Sequence, residues 1–331
     1  MEILVLGGTQ WLGREIARQA VGRGHDVTCL ARGESGPVAD GSRLVSADRT
    51  DPAAYDGVRD RHWDAVVDVS WQPGFVRRAV AALGDQAGHW TYVSSGNAYA
   101  AFDKPGADES SPLRDGTDLD EVDRELYGEA KVACERACAA VLGDRLLIAR
   151  SGLIGGPGDT SDRSGAWVAR AARSPREPLL VPGTPDVATQ VVDVRDQAAW
   201  ILDSARRGTT GAYDVVGPVV PFGAWVELCR AAGGHTGPVV EVPASWLVEQ
   251  GVEQYMGTDS LAMWLVEPGH EGWSTRTGAA AVAAGLHHRD RAAMIADILA
   301  FERARGLERP RRAGLSPEKE RALISAFRSA R

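Results

Sequence analysis

Cysteine is scarce in this chain of 331 residues, and the four present, Cys29, Cys134, Cys138 and Cys229, show neither a C-x-x-C pair nor metal-ligand spacing. A disulfide scaffold and a thiolate metal centre are excluded on that ground, and the four read as small buried hydrophobes in a reducing, cytoplasmic compartment. No apolar run approaches the roughly 18 residues of a membrane span, and the chain opens on a strand with no signal-peptide pattern ahead of it. Positive charge is in deficit: 37 Lys and Arg stand against 45 Asp and Glu, a formal net charge of −8. With no basic stripe, nucleic acid is not an expected partner. The only histidine pair, His287-His288, is adjacent in sequence and cannot present one chelating helix face, so no metal is expected. Internal repeats and low-complexity linkers are also missing.

The acid excess is local. Between Ala101 and Leu126 nine Asp and Glu face three basic residues. Such a run reads as a solvated loop or, more sharply, as an acidic lid that disfavours anionic substrates.

The apolar run Ile3-Leu4-Val5-Leu6 suits a strand buried on both faces. Gly7-Gly8-Thr9-Gln10-Trp11-Leu12-Gly13 follows at once, and then a segment with apolar residues at helical spacing. Strand, glycine turn and helix in that order place a helix N-terminus where a phosphate can bind. Gly7 allows the tight turn and Gly13 a close helix–sheet approach, whereas Gln10 stands where the usual spacing has a third glycine. Further strands are expected at Asp26–Ala31, Leu44–Ser46, Asp64–Val69, Trp90–Ser94 and Leu146–Ala149, with helices between them. The expectation is an α/β chain with a Rossmann-type doubly wound parallel sheet. Gly7, Arg32, Asp48, Ser70 and Ser95 all fall just past expected strand ends, where such sheets bind ligands. After Arg150 the pattern loosens. The reading assigns 1–155 and 187–217 to the dinucleotide-binding part. A smaller, discontinuous C-terminal substrate part takes 156–186 and 218–331.

Tyr127 and Lys131 lie four residues apart in an expected helix over Leu126–Val141, on one face with Cys134, Cys138 and Val141. Glu129, Glu135 and Arg136 are expected to point elsewhere. A lysine on an apolar stripe is costly without a task. A nearby cation favours a phenolate, so the pair is suited to proton transfer.

Several motifs in order resemble the extended short-chain dehydrogenases/reductases, in the NAD-dependent epimerase/dehydratase family. They are Gly7-Gly8-Thr9-x-x-Leu12-Gly13; Tyr92-Val93-Ser94-Ser95 with Tyr99; Tyr127-Gly128-x-x-Lys131-x-x-x-Glu135; Arg150-Ser151-Gly152 through Asp159; Val192-Asp193-Val194-Arg195-Asp196; and Gly211-Ala212-Tyr213 through Pro218. Lacking the middle glycine, the chain is similar to an atypical branch that includes chloroplast stem-loop-binding proteins. The resemblance implies Ser95, Tyr127 and Lys131 as the catalytic set: Ser95 on the substrate oxygen, Tyr127 as acid/base, Lys131 lowering its pKa and holding the nicotinamide ribose. It implies cofactor contacts at Gly7, Thr9, Gln10, Trp11, Leu12, Gly13, Arg32, Asp48 (on adenine), Arg49, Ser70, Tyr127 and Lys131. Substrate contacts are expected at Ser95, Trp71, Asn97 and Trp167, with Trp246, Trp264 and Trp273 in or near the substrate part.

NAD-preferring relatives carry an acid at the end of the second strand. Here Ala31 stands there and Arg32 follows, so NADP(H) is the expected cofactor, with NAD(H) as the alternative. The expected chemistry is hydride transfer on a carbonyl or alcohol of a small organic substrate. A sugar-nucleotide epimerase or dehydratase that recycles its cofactor is the second reading, since Arg163, Arg170 and Arg173 could meet phosphates. A non-catalytic RNA-binding or regulatory member of the fold is the third. A homodimer is the expected assembly, by analogy alone.

Overall fold

A computed structural model describes residues 1–330. The first half alternates strand and helix: β1 (Glu2–Leu6), α1 (Trp11–Gly22), β2 (Asp26–Ala31), β3 (Arg43–Ser46), β4 (Ala65–Asp68), α2 (Pro73–Leu83), β5 (Trp90–Ser95), α3 (Tyr127–Leu142) and β6 (Leu146–Ser151). The second half continues with β7 (Leu153–Gly155), α4 (Ala166–Arg173), β8 (Leu179–Pro182), β9 (Ala188–Asp193), α5 (Val194–Arg207), β10 (Gly211–Val215), β11 (Val219–Pro221), α6 (Phe222–Gly233) and β12 (Val239–Val242). It closes with α7 (Ala244–Glu249), β13 (Glu253–Tyr255), β14 (Gly257–Thr258), β15 (Ser260–Ala262), α8 (Ala279–Ala283), α9 (Arg291–Arg305), β16 (Ala313–Gly314) and α10 (Pro317–Ser329).

Seven strands form one parallel sheet in the order β10-β6-β5-β4-β1-β2-β3. Alternation along the strands splits the core in two. Ile3, Val5, Val27 and Cys29 face α1, α5 and α8, while Leu4, Leu6, Leu30 and Val66 face α2 and α3. Helices on both faces explain why these strands are apolar throughout. The order reverses between β1 and β4, so the crevice at their carboxyl ends is the topological switch point.

The segment 187–217 divides its allegiance. α5 packs on α1, and β10 completes the sheet beside β6. β9 pairs instead with β7 and, antiparallel, with β11, in a separate three-stranded sheet. α4, α6, α9 and α10 surround a third core with Trp167, Phe222, Trp225 and Trp264. α10 is capped by Ser316, its hydroxyl accepting from Lys319 N at 3.3 Å. All four cysteines are buried and free. Among the described residues no helix is long and apolar enough to cross a membrane.

Candidate active site

Parallel pairing brings Gly7, Arg32, Asp48, Ser70 and Ser95 to one edge of the sheet. Gly7 has φ +97°, and a Cβ there would sit 2.6 Å from Val69 Cγ2. A Cβ on Gly13 would enter the space of the Gly7 carbonyl, which is why α1 can start directly against the turn. Gly8 is also required, since a Cβ would lie 2.7 Å from Cys29 Cβ. Gln10 takes ordinary extended backbone (φ −86°, ψ 161°) at the helix N-cap, so that position needs no glycine for its conformation. Its side chain is exposed and caps nothing, and no acid occupies the first turn. The N-terminus of α1 is therefore open to an anion, beside buried Thr9 and Leu12. Trp11 anchors the turn from the other side by donating from Nε1 to Pro157 O at 2.8 Å.

At the rim, Arg32 is 59% exposed, 3.2 Å from Glu34 and 4.0 Å from Asp48. Asp48 Oδ1 accepts from Thr50 N and Oγ1, both at 2.9 Å, and these bonds hold the carboxyl below its usual value. Oδ2 is the atom nearest Arg32.

Arg49 has a different task from the one expected. It is buried and forms a two-pronged pair with Asp68 at 2.9 and 2.8 Å. It also donates to Tyr55 OH, Phe75 O and Ser70 Oγ. All five of its donors are taken, so none remains for a cofactor. It pins Ser70 and the end of β4 to the crevice wall. Trp167 is corrected in the same way. Only 6% exposed, it donates to Ala262 O at 2.8 Å and packs edge-on to Phe222 at 5.3 Å, inside the third core. Trp264 is likewise core, donating to Thr184 Oγ1.

Lys131 is 3% exposed. Its ammonium donates to Ser70 O at 2.9 Å and Val93 O at 2.7 Å, so the ends of β4 and β5 fix it and one N–H remains. The rings of Tyr92 and Tyr127 lie 4.9 and 5.8 Å from Nζ. The two phenols differ. Tyr92 is fully buried, donates to Ser70 O at 3.1 Å, and is pushed well above its ordinary pKa by burial. Tyr127 is half-buried at the start of α3, its hydroxyl unbonded among the described residues. It stands beside Trp71, with ring centroids 5.6 Å apart. Only Tyr127 can exchange a proton with a ligand. Ser95 Oγ accepts from Asn97 N at 3.2 Å and Nδ2 at 3.3 Å, which leaves the serine hydrogen free to donate.

Behind Ser95, Tyr127 and Lys131 runs a buried network that the sequence reading misses. Glu135, expected to point away, is 4% exposed and pairs with Arg150 at 2.8 Å while accepting from Ser94 Oγ at 2.5 Å. Arg150 Nη1 donates to Tyr99 OH at 3.1 Å, Tyr99 OH donates to Asp214 at 2.7 Å, and Arg276 pairs with Asp214 at 2.7 Å. The signal available in sequence is an arginine inside the otherwise apolar β6. The acidic segment is also tied down. Glu109 accepts from Asp214 N, and Asp120 pairs with Arg77.

A parallel doubly wound sheet with a glycine turn at its switch point is the architecture of a Rossmann-type α/β protein. The model of the NAD dependent epimerase/dehydratase family matches residues 3–215, and the chain belongs to that family. Solved structures share the fold at low identity. UDP-glucose 4-epimerase of Thermus thermophilus, in complex with NAD, superposes with a TM-score of 0.65 at 18% identity, over 92% of this chain and 99% of that one. UDP-N-acetylglucosamine 4-epimerase of Bacillus cereus gives 0.64 at 14% identity, over 92% and 99%. A stretch of 78 residues, 21% of this chain and 22% of its relative, is 37% identical to the photosystem II assembly factor Ycf39 of Synechocystis sp..

Proposed function

We propose that the protein is an NADP(H)-dependent oxidoreductase acting on a carbonyl or alcohol of a small organic substrate. The observation that carries this reading is the fixed ammonium of Lys131 between Ser70 O and Val93 O, with Tyr127 as the one free phenol beside it. The glycine turn and the open end of α1 suit the pyrophosphate of a nicotinamide dinucleotide. When bound, the nicotinamide supplies or takes the hydride. Ser95 donates its hydroxyl hydrogen to the substrate oxygen and orients it. Tyr127 gives that oxygen its proton in reduction and removes it in oxidation, and the charge of Lys131 stabilises the phenolate left behind. Tyr127→Phe should keep the melting temperature and the affinity for NADPH while turnover falls by roughly 10²–10⁴-fold. The assay uses the best carbonyl compound from a thermal-shift screen with NADPH. Near-normal turnover would remove Tyr127 from this role.

One contact favours a second reading, an epimerase or dehydratase that retains its cofactor. Trp11 ties the glycine turn to the Pro157 loop, and a Cβ on Gly158 would meet that indole at 2.7 Å. A turn strapped in this way could hold a dinucleotide through many turnovers. Nicotinamide released only on heating purified protein, and released oxidised, would decide for this reading. A chain purified free of cofactor would decide for net reduction.

A further inference from the structure

Among the arginines singled out in sequence, Arg163, Arg170 and Arg173 separate in the structure. Arg170 is consumed: it pairs with Glu320 and donates to Ser174 O and Pro178 O. Arg173, at the end of α4, has no hydrogen bond or ion pair among the described residues, and its Nε is shut off from solvent. It lines a cleft of about 420 Å³ between α4 and α10, with Arg321 and Arg328 on the outer wall. A smaller recess opens from the same arginine and is lined by Arg311. The Arg311 side chain is 8% exposed, and Nη1 reaches Glu302. Its Nε and Nη2 are buried without partners. Arg173 Nε beside the cleft, and Arg311 Nε and Nη2 beside the recess, are thus withdrawn from water and left unbonded, at a cost that an anion would remove. The nearby carboxylate of Glu320 makes no hydrogen bond to Arg173, its oxygens being engaged by Arg170 and Leu180 N. Burial, and after it the charge of Arg170, hold the Arg173 guanidinium below its ordinary pKa against the opposing pull of Glu308 and Glu320.

We propose that the cleft between α4 and α10 is a second ligand site, which takes the phosphate group of a small molecule between Arg173, Arg321 and Arg328, the arginines that line it beside Glu177 and Glu320. The arginine fork matches phosphate oxygens in pairs, and the cleft volume is in the range of small-molecule sites. The site is separate from the crevice. α4 begins just after the loop that touches Trp11, and Arg173 lies about 10 Å further along the helix.

The test is calorimetric titration of inorganic pyrophosphate into the full chain in the presence of excess ADP-ribose, which occupies the glycine-turn crevice. The expected result is binding that survives ADP-ribose and is weakened about tenfold or more by Arg173→Gln and by Arg328→Gln. Arg328 is exposed, so its variant reports on binding even if Arg173→Gln folds poorly. Absence of binding at millimolar pyrophosphate, or wild-type affinity in Arg328→Gln and Arg173→Gln, overturns the site. Malonate binding as tightly as pyrophosphate overturns the assignment to phosphate.

Discussion

At the scale of single residues, position along a strand proves easier to read than direction. Arg32, Asp48, Arg49 and Ser70 all follow strand ends, and the sequence places each at the crevice edge. Which way each points depends on partners far along the chain. Arg49 turns inward because Asp68, Tyr55 and the Phe75 carbonyl claim it, and no spacing rule foretells that. Arg32 turns outward, and the choice of cofactor rests on it. Its neighbours Glu34 and Asp48 are acids, which offset part of the attraction that the arginine has for a 2′-phosphate. An exposed pair such as Arg32–Glu34 contributes only about 0–1 kcal/mol, so a phosphate can displace it. The expected outcome is a modest preference for NADPH over NADH, about tenfold, lost in Arg32→Ala and raised in Glu34→Gln. Titrating both cofactors against the three proteins checks this. A ratio indifferent to both changes would assign Arg32 to solvent.

At the scale of elements, the long ones were legible and the short ones were not. β2 falls at its expected bounds, because an apolar run of six residues suffices. α1 begins at Trp11, three residues before the segment in which helical periodicity becomes apparent, since the glycine turn runs straight into the helix. The strands β7, β8, β11 and β12, of three or four residues, carry too few side chains to show a period, and their pairings are set by tertiary packing. The junction of β1 and α1 is the most demanding element. Gly13→Val would push a branched side chain against the Gly7 carbonyl and the Gly8 Cα. The helix start would then move away from the turn. Dinucleotide affinity should drop by at least about tenfold, a loss of roughly 1.4 kcal/mol or more. Fluorescence titration with NADPH measures it. Thermal melts of the same variant show whether the packing of α1 suffers as well. Unchanged affinity would mean that phosphate does not bind at this helix end.

At the scale of the whole molecule, the two halves are joined by charge as well as by apolar packing. Asp214 lies on β10 at the edge of the sheet, fully buried, and Arg276 arrives from the C-terminal segment between β15 and α8 to pair with it. The guanidinium lies 3.5 Å from the centroid of the Tyr99 ring, and Arg276 O accepts from Gln190 Nε2 at 2.7 Å. The sequence displays Asp214 within a motif but gives no sign of Arg276, since the pair spans 62 residues. Arg276→Met should cost about 3–5 kcal/mol near neutral pH, because it strands a buried carboxylate. Burial already raises the pKa of Asp214 above its ordinary value, against the opposing pull of Tyr99 and Arg276. Removing Arg276 raises it further. For a carboxyl with a raised folded pKa, the stabilising contribution is complete below the unfolded value of about 3.9 and is lost as pH rises through the folded value. The deficit of Arg276→Met relative to wild type should therefore shrink as pH falls from about 7 toward 5. Asp68 and Asp162, whose carboxyls sit below their ordinary values despite burial because arginines surround them, lose stability in acid in both proteins and cancel from the difference. Asp214→Asn placed on top of Arg276→Met should recover part of the loss at pH 7 and remove the pH dependence of the difference. Urea unfolding at the two pH values gives the comparison. An equal deficit at both would mean that Asp214 is uncharged in the wild-type fold and that the halves are held together by packing alone.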